Sequence, residues 1–158
     1  MPDVTVETRL PDPQAVVAPR LLTVLGGYSS RDDVVLTLDV GIAGAVMAVP
    51  VTVELRDSKS RTPSTIPIGL RATRHSELFP TFLGTVHSEG QGNLESVLRL
   101  DGTYDAPLGI LGHVADSTVL GHAAERSLRS FLERLRTDVI EEIQRAELAI
   151  RRSEGHHS

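Results

Sequence analysis

The chain has 158 residues, 40% of them hydrophobic and 23% charged, with a net charge of −5 and no cysteine. That length suffices for one domain with a buried core, and the composition is that of an ordinary globular protein. The acidic balance, the absence of a basic stripe and an aromatic content of 3% argue against a nucleic-acid binder, and the missing thiols exclude disulfides and cysteine metal sites.

No apolar run approaches the ~20 residues needed to span a bilayer. The opening segment, MPDVTVETRL, has no basic stretch followed by an apolar one. No signal peptide is therefore expected, and a cytoplasmic location is the default. Lys59 is the only lysine beside many arginines. With abundant Ala, Val and Gly, this bias suggests a GC-rich bacterial genome.

Period-2 alternation dominates the first two thirds of the chain. Residues 4–10 place Val4, Val6 and Leu10 on one face and Thr5, Glu7 and Arg9 on the other. A helix is expected next, with Asp12 as its cap and Pro13 at its first position. It carries Val16, Val17, Leu21, Leu22 and Leu25, is shortened or kinked at Pro19, and ends at Gly26 and Gly27. Five further strands are expected around Val34–Val40, Val49–Leu55, Ile66–Ala72, Phe82–Val86 and Leu98–Tyr104. Residues 89–93, EGQGN, read as a hairpin turn. Pro50 and Pro67 fall inside strand patterns, which implies sheet edges or bulges.

One apolar and one polar face per strand mean a sheet covered on one side. The cover is a long C-terminal helix, whose residues Leu120, Ala124, Leu128, Phe131, Leu135, Val139, Ile143, Ala146 and Ile150 make one continuous stripe. Glu125 with Arg129, Glu141 with Arg145, and Glu147 with Arg151 stand four apart on its polar face. The class is therefore α+β: a curved antiparallel sheet of six to seven strands gripping a long helix. One domain is expected over residues 1–152, with a disordered tail over 153–158. Thirty-odd helical residues span roughly 50 Å, whereas six strands make a sheet about 25–30 Å wide. The last turns are thus expected to overhang, leaving Val139, Ile140, Ile143, Ala146 and Ile150 without a cover inside the chain and available to a partner.

The order of strand, short helix, antiparallel strands and long helix resembles the START-like, or helix-grip, superfamily, whose bacterial members are often labelled SRPBCC proteins. Residues 98–116, LRLDGTYDAPLGILGHVAD, look like its last strand and the glycine-containing entry to its final helix. Residues 79–84, FPTFLG, look like the start of an earlier strand. The chain departs from the fuller pattern, with six strands where seven are typical and one N-terminal helix where two are usual, which implies a smaller cavity or none. The resemblance implies a pocket between sheet and helix for an apolar or amphipathic small molecule, and no cofactor. Its lining would come from Leu38, Val51, Ile68 and Leu70, from Phe82, Val86, Leu98, Leu100 and Tyr104, and from Leu120, Ala124 and Leu128. A solid core built from the same residues is the competing reading of each.

The ionisable residues give no catalytic constellation. His113 and Asp116 stand three apart near the helix start, a loop histidine beside a capping residue. His122 lies near the helix N-terminus, and His87 falls on a polar strand face. His75, Ser76 and Glu77 are a loop triplet, and His156 and His157 lie in the tail. No HExxH or comparable ligand spacing occurs. Gly109 and Gly112 lack phosphate-loop spacing. Arg56, Arg71 and Arg99 are expected to pair with Glu54 or Asp101 on an exposed strand face. Three functions follow, in order: a ligand-binding START-like domain, an interaction module that self-associates or docks through the projecting helix, and a cyclase- or hydrolase-like enzyme.

Overall fold

A computed structural model describes residues 3–31, 34–39, 46–56, 59, 61–74, 79–105 and 117–155. Alternation along the strands decides the layers. The apolar set of every strand turns to one side, where it meets two helices. The elements are β1 (Asp3–Leu10), α1 (Gln14–Ser30), β2 (Val34–Asp39), β3 (Val46–Leu55), β4 (Thr65–Ala72), β5 (Thr81–Gln91), β6 (Glu95–Asp105) and α2 (Ser117–Gly155). The sheet order is β1-β6-β5-β4-β3-β2, antiparallel throughout. This is a curled half-barrel holding a long C-terminal helix, the helix-grip arrangement. The expected fold class is borne out.

The first two strands lie at opposite edges of the sheet. α1, which joins them, must therefore cross the concave side, and it packs on β3, β5, β6 and α2 on the way. It is longer than the sequence implies. Pro13 takes the N-cap position in extended conformation, with no side-chain cap, and Asp12 instead offers its carbonyl to the Ser96 hydroxyl at 2.6 Å. Pro19 interrupts nothing, and Gly26 and Gly27 stay helical. Two interior glycines cost about 1 kcal/mol each in propensity. Burial of Leu25 and Tyr28 on either side of them outweighs that cost, since a fully buried large side chain contributes about 1.5–3 kcal/mol.

The prolines also sit differently from the expectation. β3 and β4 are interior strands, and their ladder runs without a bulge from Val51 opposite Ala72 to Leu55 opposite Ile68. The Pro50 carbonyl accepts from the Thr73 N–H at 3.0 Å and the Pro67 carbonyl from the Arg56 N–H at 3.0 Å. Each proline thus stands one step beyond an end of the ladder, where its missing N–H removes only a terminal bond.

Gly84 and Gly102 face each other across β5 and β6. A Cβ on either would fall within 2.3 Å of the neighbouring strand's backbone and within 2.9 Å of the Phe82 ring. The strands approach too closely there for any side chain, and Phe82 covers the gap. The hairpin beyond is as expected, with Gly92 supplying the left-handed turn at φ 70°.

α2 lies along β1 and also reaches β2 and β6. Its arginines grip both free edges. Arg129 Nη1 and Arg136 Nε donate to the Glu7 and Arg9 carbonyls of β1 at 3.4 and 2.6 Å. From the other flank Arg134 Nη1 donates to the Val35 carbonyl of β2 at 3.1 Å. Among the described residues these carbonyls have no strand beyond them, so the helix occupies acceptors that would otherwise template pairing with another chain.

The overhang is partly corrected. Val139 and Ile143 are buried and Ile140 packs against the same core, because α1 crosses beneath this part of α2. A cover inside the chain therefore exists as far as Ile143. Beyond it, Ala146 is half-buried and Leu148 and Ile150 are exposed. The helix continues to Gly155, so residues 153–155, expected in a tail, are helical. No helix of the described residues is long and apolar enough to cross a membrane.

Candidate functional site

The concave face gathers the residues expected to line a pocket. Val51, Ile68, Leu70, Phe82 and Val86 belong to one buried cluster with Leu98, Leu100, Tyr104, Ala124 and Leu128, none more than 4% exposed. Leu38 stands in β2 opposite Met47 and Leu120 in the first turn of α2, but their side chains lie outside the described residues. The described members are packed together in the buried core.

The two ends of this interior differ. α1 seals one end. There Gln14 Nε2 donates to the Ser88 carbonyl at 2.8 Å, and Ser96 bonds to Asp12. Ser88 is 1% exposed, and among the described residues its Oγ has no partner. At the other end Tyr104 pairs with Phe82 and Phe82 with Leu70, an apolar row bearing one phenol. Along β5 the two ends are about 20 Å apart, at ~3.4 Å per residue.

A second concavity lies outside the sheet, between the two helices. This cleft has a volume of about 380 Å³. α1 contributes Thr23, Val24, Gly27, Tyr28 and its C-cap residue Arg31, and α2 contributes Arg134, Asp138, Glu141, Glu142 and Arg145. Tyr28 is 3% exposed, with its ring edge-on to Phe131 at 6.3 Å between centroids. Its hydroxyl donates to Asp138 Oδ2. Arg134 Nε donates to the same oxygen at 3.0 Å while its Nη1 holds the edge of β2. One carboxylate thus ties α1, α2 and β2 together. Burial, then the hydrogen bond to the Asp138 carboxylate and its charge, push the Tyr28 phenol far above its usual range. Glu142 is shared by Arg145 at 3.3 Å and Arg20 at 3.7 Å. Periodicity alone did not single out this cluster. Of its residues, the sequence marked only Glu141 and Arg145, as a pair four apart.

The remaining candidates do not converge. His87 is half-buried on the convex face opposite Arg99. Arg99 pairs with Glu89 at 2.7 Å rather than with Asp101, which accepts from Thr5. Glu125 and Arg129 pair as expected at 3.1 Å, whereas Arg145 chooses Glu142 over Glu141. His75, Ser76, Glu77, Gly109, Gly112, His113, Asp116, His156 and His157 lie outside the described residues, as does the side chain of His122. Among the described residues, no three His, Asp or Glu side chains gather as a metal site.

No protein-family model and no curated protein matches the sequence. Solved structures do match. A conserved protein from Geobacillus kaustophilus gives a TM-score of 0.52 at 11% identity, covering 89% of this chain and 96% of that one. A protein from Thermus thermophilus gives 0.51 at 17% identity, covering 89% and 98%. The Zhui aromatase/cyclase from a Streptomyces species gives 0.49 at 18% identity, covering 92% and 95%. At such identities the first two likenesses show a shared fold: these chains, like this one, wrap a curled antiparallel sheet around a long C-terminal helix.

Proposed function

We propose that the chain binds a hydrophobic or amphipathic small molecule between the sheet and the C-terminal helix. The observation that carries this reading is the build of the concave face. It is an apolar lining closed at one end by α1, with a hydroxyl near each end, Ser88 and Tyr104. Small-molecule sites have this character, mostly apolar with a few placed polar groups. Because these side chains are packed together, a ligand enters by parting them at the Tyr104 end, away from α1. The expected result is a mass adduct in native mass spectrometry of the purified protein that organic extraction removes. A fluorescent fatty-acid analogue should bind saturably, and Leu128→Trp should weaken it at least tenfold while the protein stays folded. Absence of both adduct and saturable binding refutes the proposal.

A second reading concerns the end of α2, where Leu148 is 53% and Ile150 57% exposed on a helix that runs past its last internal cover. In this reading the end of the helix mediates self-association or docking. Truncation after Gln144 removes this segment while retaining Val139 and Ile143. Light scattering should then report a smaller assembly than the full chain forms. Equal monomeric masses for both forms exclude self-association.

A further inference from the structure

We infer that the cleft between α1 and α2 is a binding site for a small zwitterion, a molecule carrying one anionic and one cationic group. This site is separate from the interior between sheet and helix.

Three observations lead there. The first is Gly27. It lies inside a helix, where glycine is unfavourable, and its φ is not positive. Nor does packing require it, since a Cβ built there meets no atom within 4 Å. What its missing side chain does is keep the wall of the cleft open.

The second is charge. The lining holds three guanidinium groups, Arg31, Arg134 and Arg145, and three carboxylates, Asp138, Glu141 and Glu142. An ion of one sign would lose to one set what it gained from the other, whereas a molecule with both signs gains from each.

The third is which of these groups are already engaged. Arg134 and Asp138 bond to each other, and Glu142 holds Arg145 and Arg20. Among the described residues, Arg31 bonds through its backbone N–H to the Tyr28 carbonyl, and the side chains of Arg31 and Glu141 form none of the cleft's direct salt bridges. Arg31 and Glu141 are thus the charges of the lining with no direct side-chain bond among the described residues, although Glu141 also acts through space on Arg134 and Arg31 on Tyr28. The Tyr28 oxygen retains acceptor capacity between the helices. A volume of about 380 Å³ lies within the range of small-molecule sites.

The test is an NMR titration of the full chain with glycine, β-alanine, γ-aminobutyrate and phosphocholine, following the backbone amides of Gly27, Tyr28 and Arg31. Butyrate and butylamine, each lacking one charge, are the controls. At least one zwitterion should shift these amides saturably, at least tenfold more tightly than either control. Arg31→Gln and Glu141→Gln should each weaken that binding at least tenfold. Gly27→Ala should raise Tm by about 2–4 °C, as a helix-interior Gly→Ala change does, and yet weaken binding. A glycine with a purely structural role would give the rise in Tm alone. No saturable shift with any zwitterion, or equal binding of butyrate, overturns the inference.

Discussion

The two halves of α2 are built for different neighbours. From Ala124 to Leu135 the helix lies over the sheet, buries Leu128, Phe131, Leu132 and Leu135, and holds both sheet edges through arginines. From Val139 onward it has left the sheet and meets α1, which covers it only as far as Ile143. The first half shows a helix positioned by apolar burial and aligned by charge–carbonyl bonds. The second shows that an apolar stripe longer than the sheet does not by itself mean an open surface, because a connecting helix also provides cover.

Substitutions rank these contacts. Phe131→Ala, at the centre of the first half, should cost about 3–5 kcal/mol in denaturant melts. Ile143→Ala sharpens the comparison. If α1 covers it as described, the loss is about 2–5 kcal/mol, whereas Ile150→Ala should cost under about 0.5 kcal/mol. Equal, small effects at both positions would mean that α1 does not dock on the second half. Tyr28→Phe should cost about 1.5–3 kcal/mol, the range for a hydrogen bond to a charged group.

That residue also gives a pH dependence with a definite sign. The folded phenol titrates far above its unfolded value of about 10, so the fold favours the protonated form. The associated stability is full below about pH 10 and is lost as the pH rises beyond it. Tyr28→Phe should flatten this alkaline loss, measured as Tm against pH. A small effect is expected at the edge of the sheet. Arg136→Ala should cost about 1 kcal/mol or less, with a local rise in hydrogen exchange along β1.

Much of this architecture was legible because alternation and helical spacing leave direct marks in sequence. The six strands and α2 were read from residues such as Ile66, Ile68 and Leu70, whose period admits one assignment. The extent of α1 was not legible. Gly26 and Gly27 end a helix on local propensity, and only the burial of Tyr28 against α2, far along the chain, keeps them helical. The same contact explains why Val139 and Ile143 seemed uncovered in sequence. Their cover is α1, whose crossing beneath α2 no local spacing records. The outer cleft was hidden for a related reason: its charges come from two helices whose juxtaposition no spacing records.

The prolines of β3 and β4 have a consequence for pairing register. Sliding one strand by two residues keeps every side chain on its face, so hydrophobic patterning alone does not forbid it. In one of the two directions that slide would set Pro50 opposite Arg71 and Pro67 opposite Glu54, drawing both prolines into the ladder they now flank. Two hydrogen bonds would be lost from its body instead of its ends. The pair acts as a one-way stop on strand alignment, written into the two strands themselves.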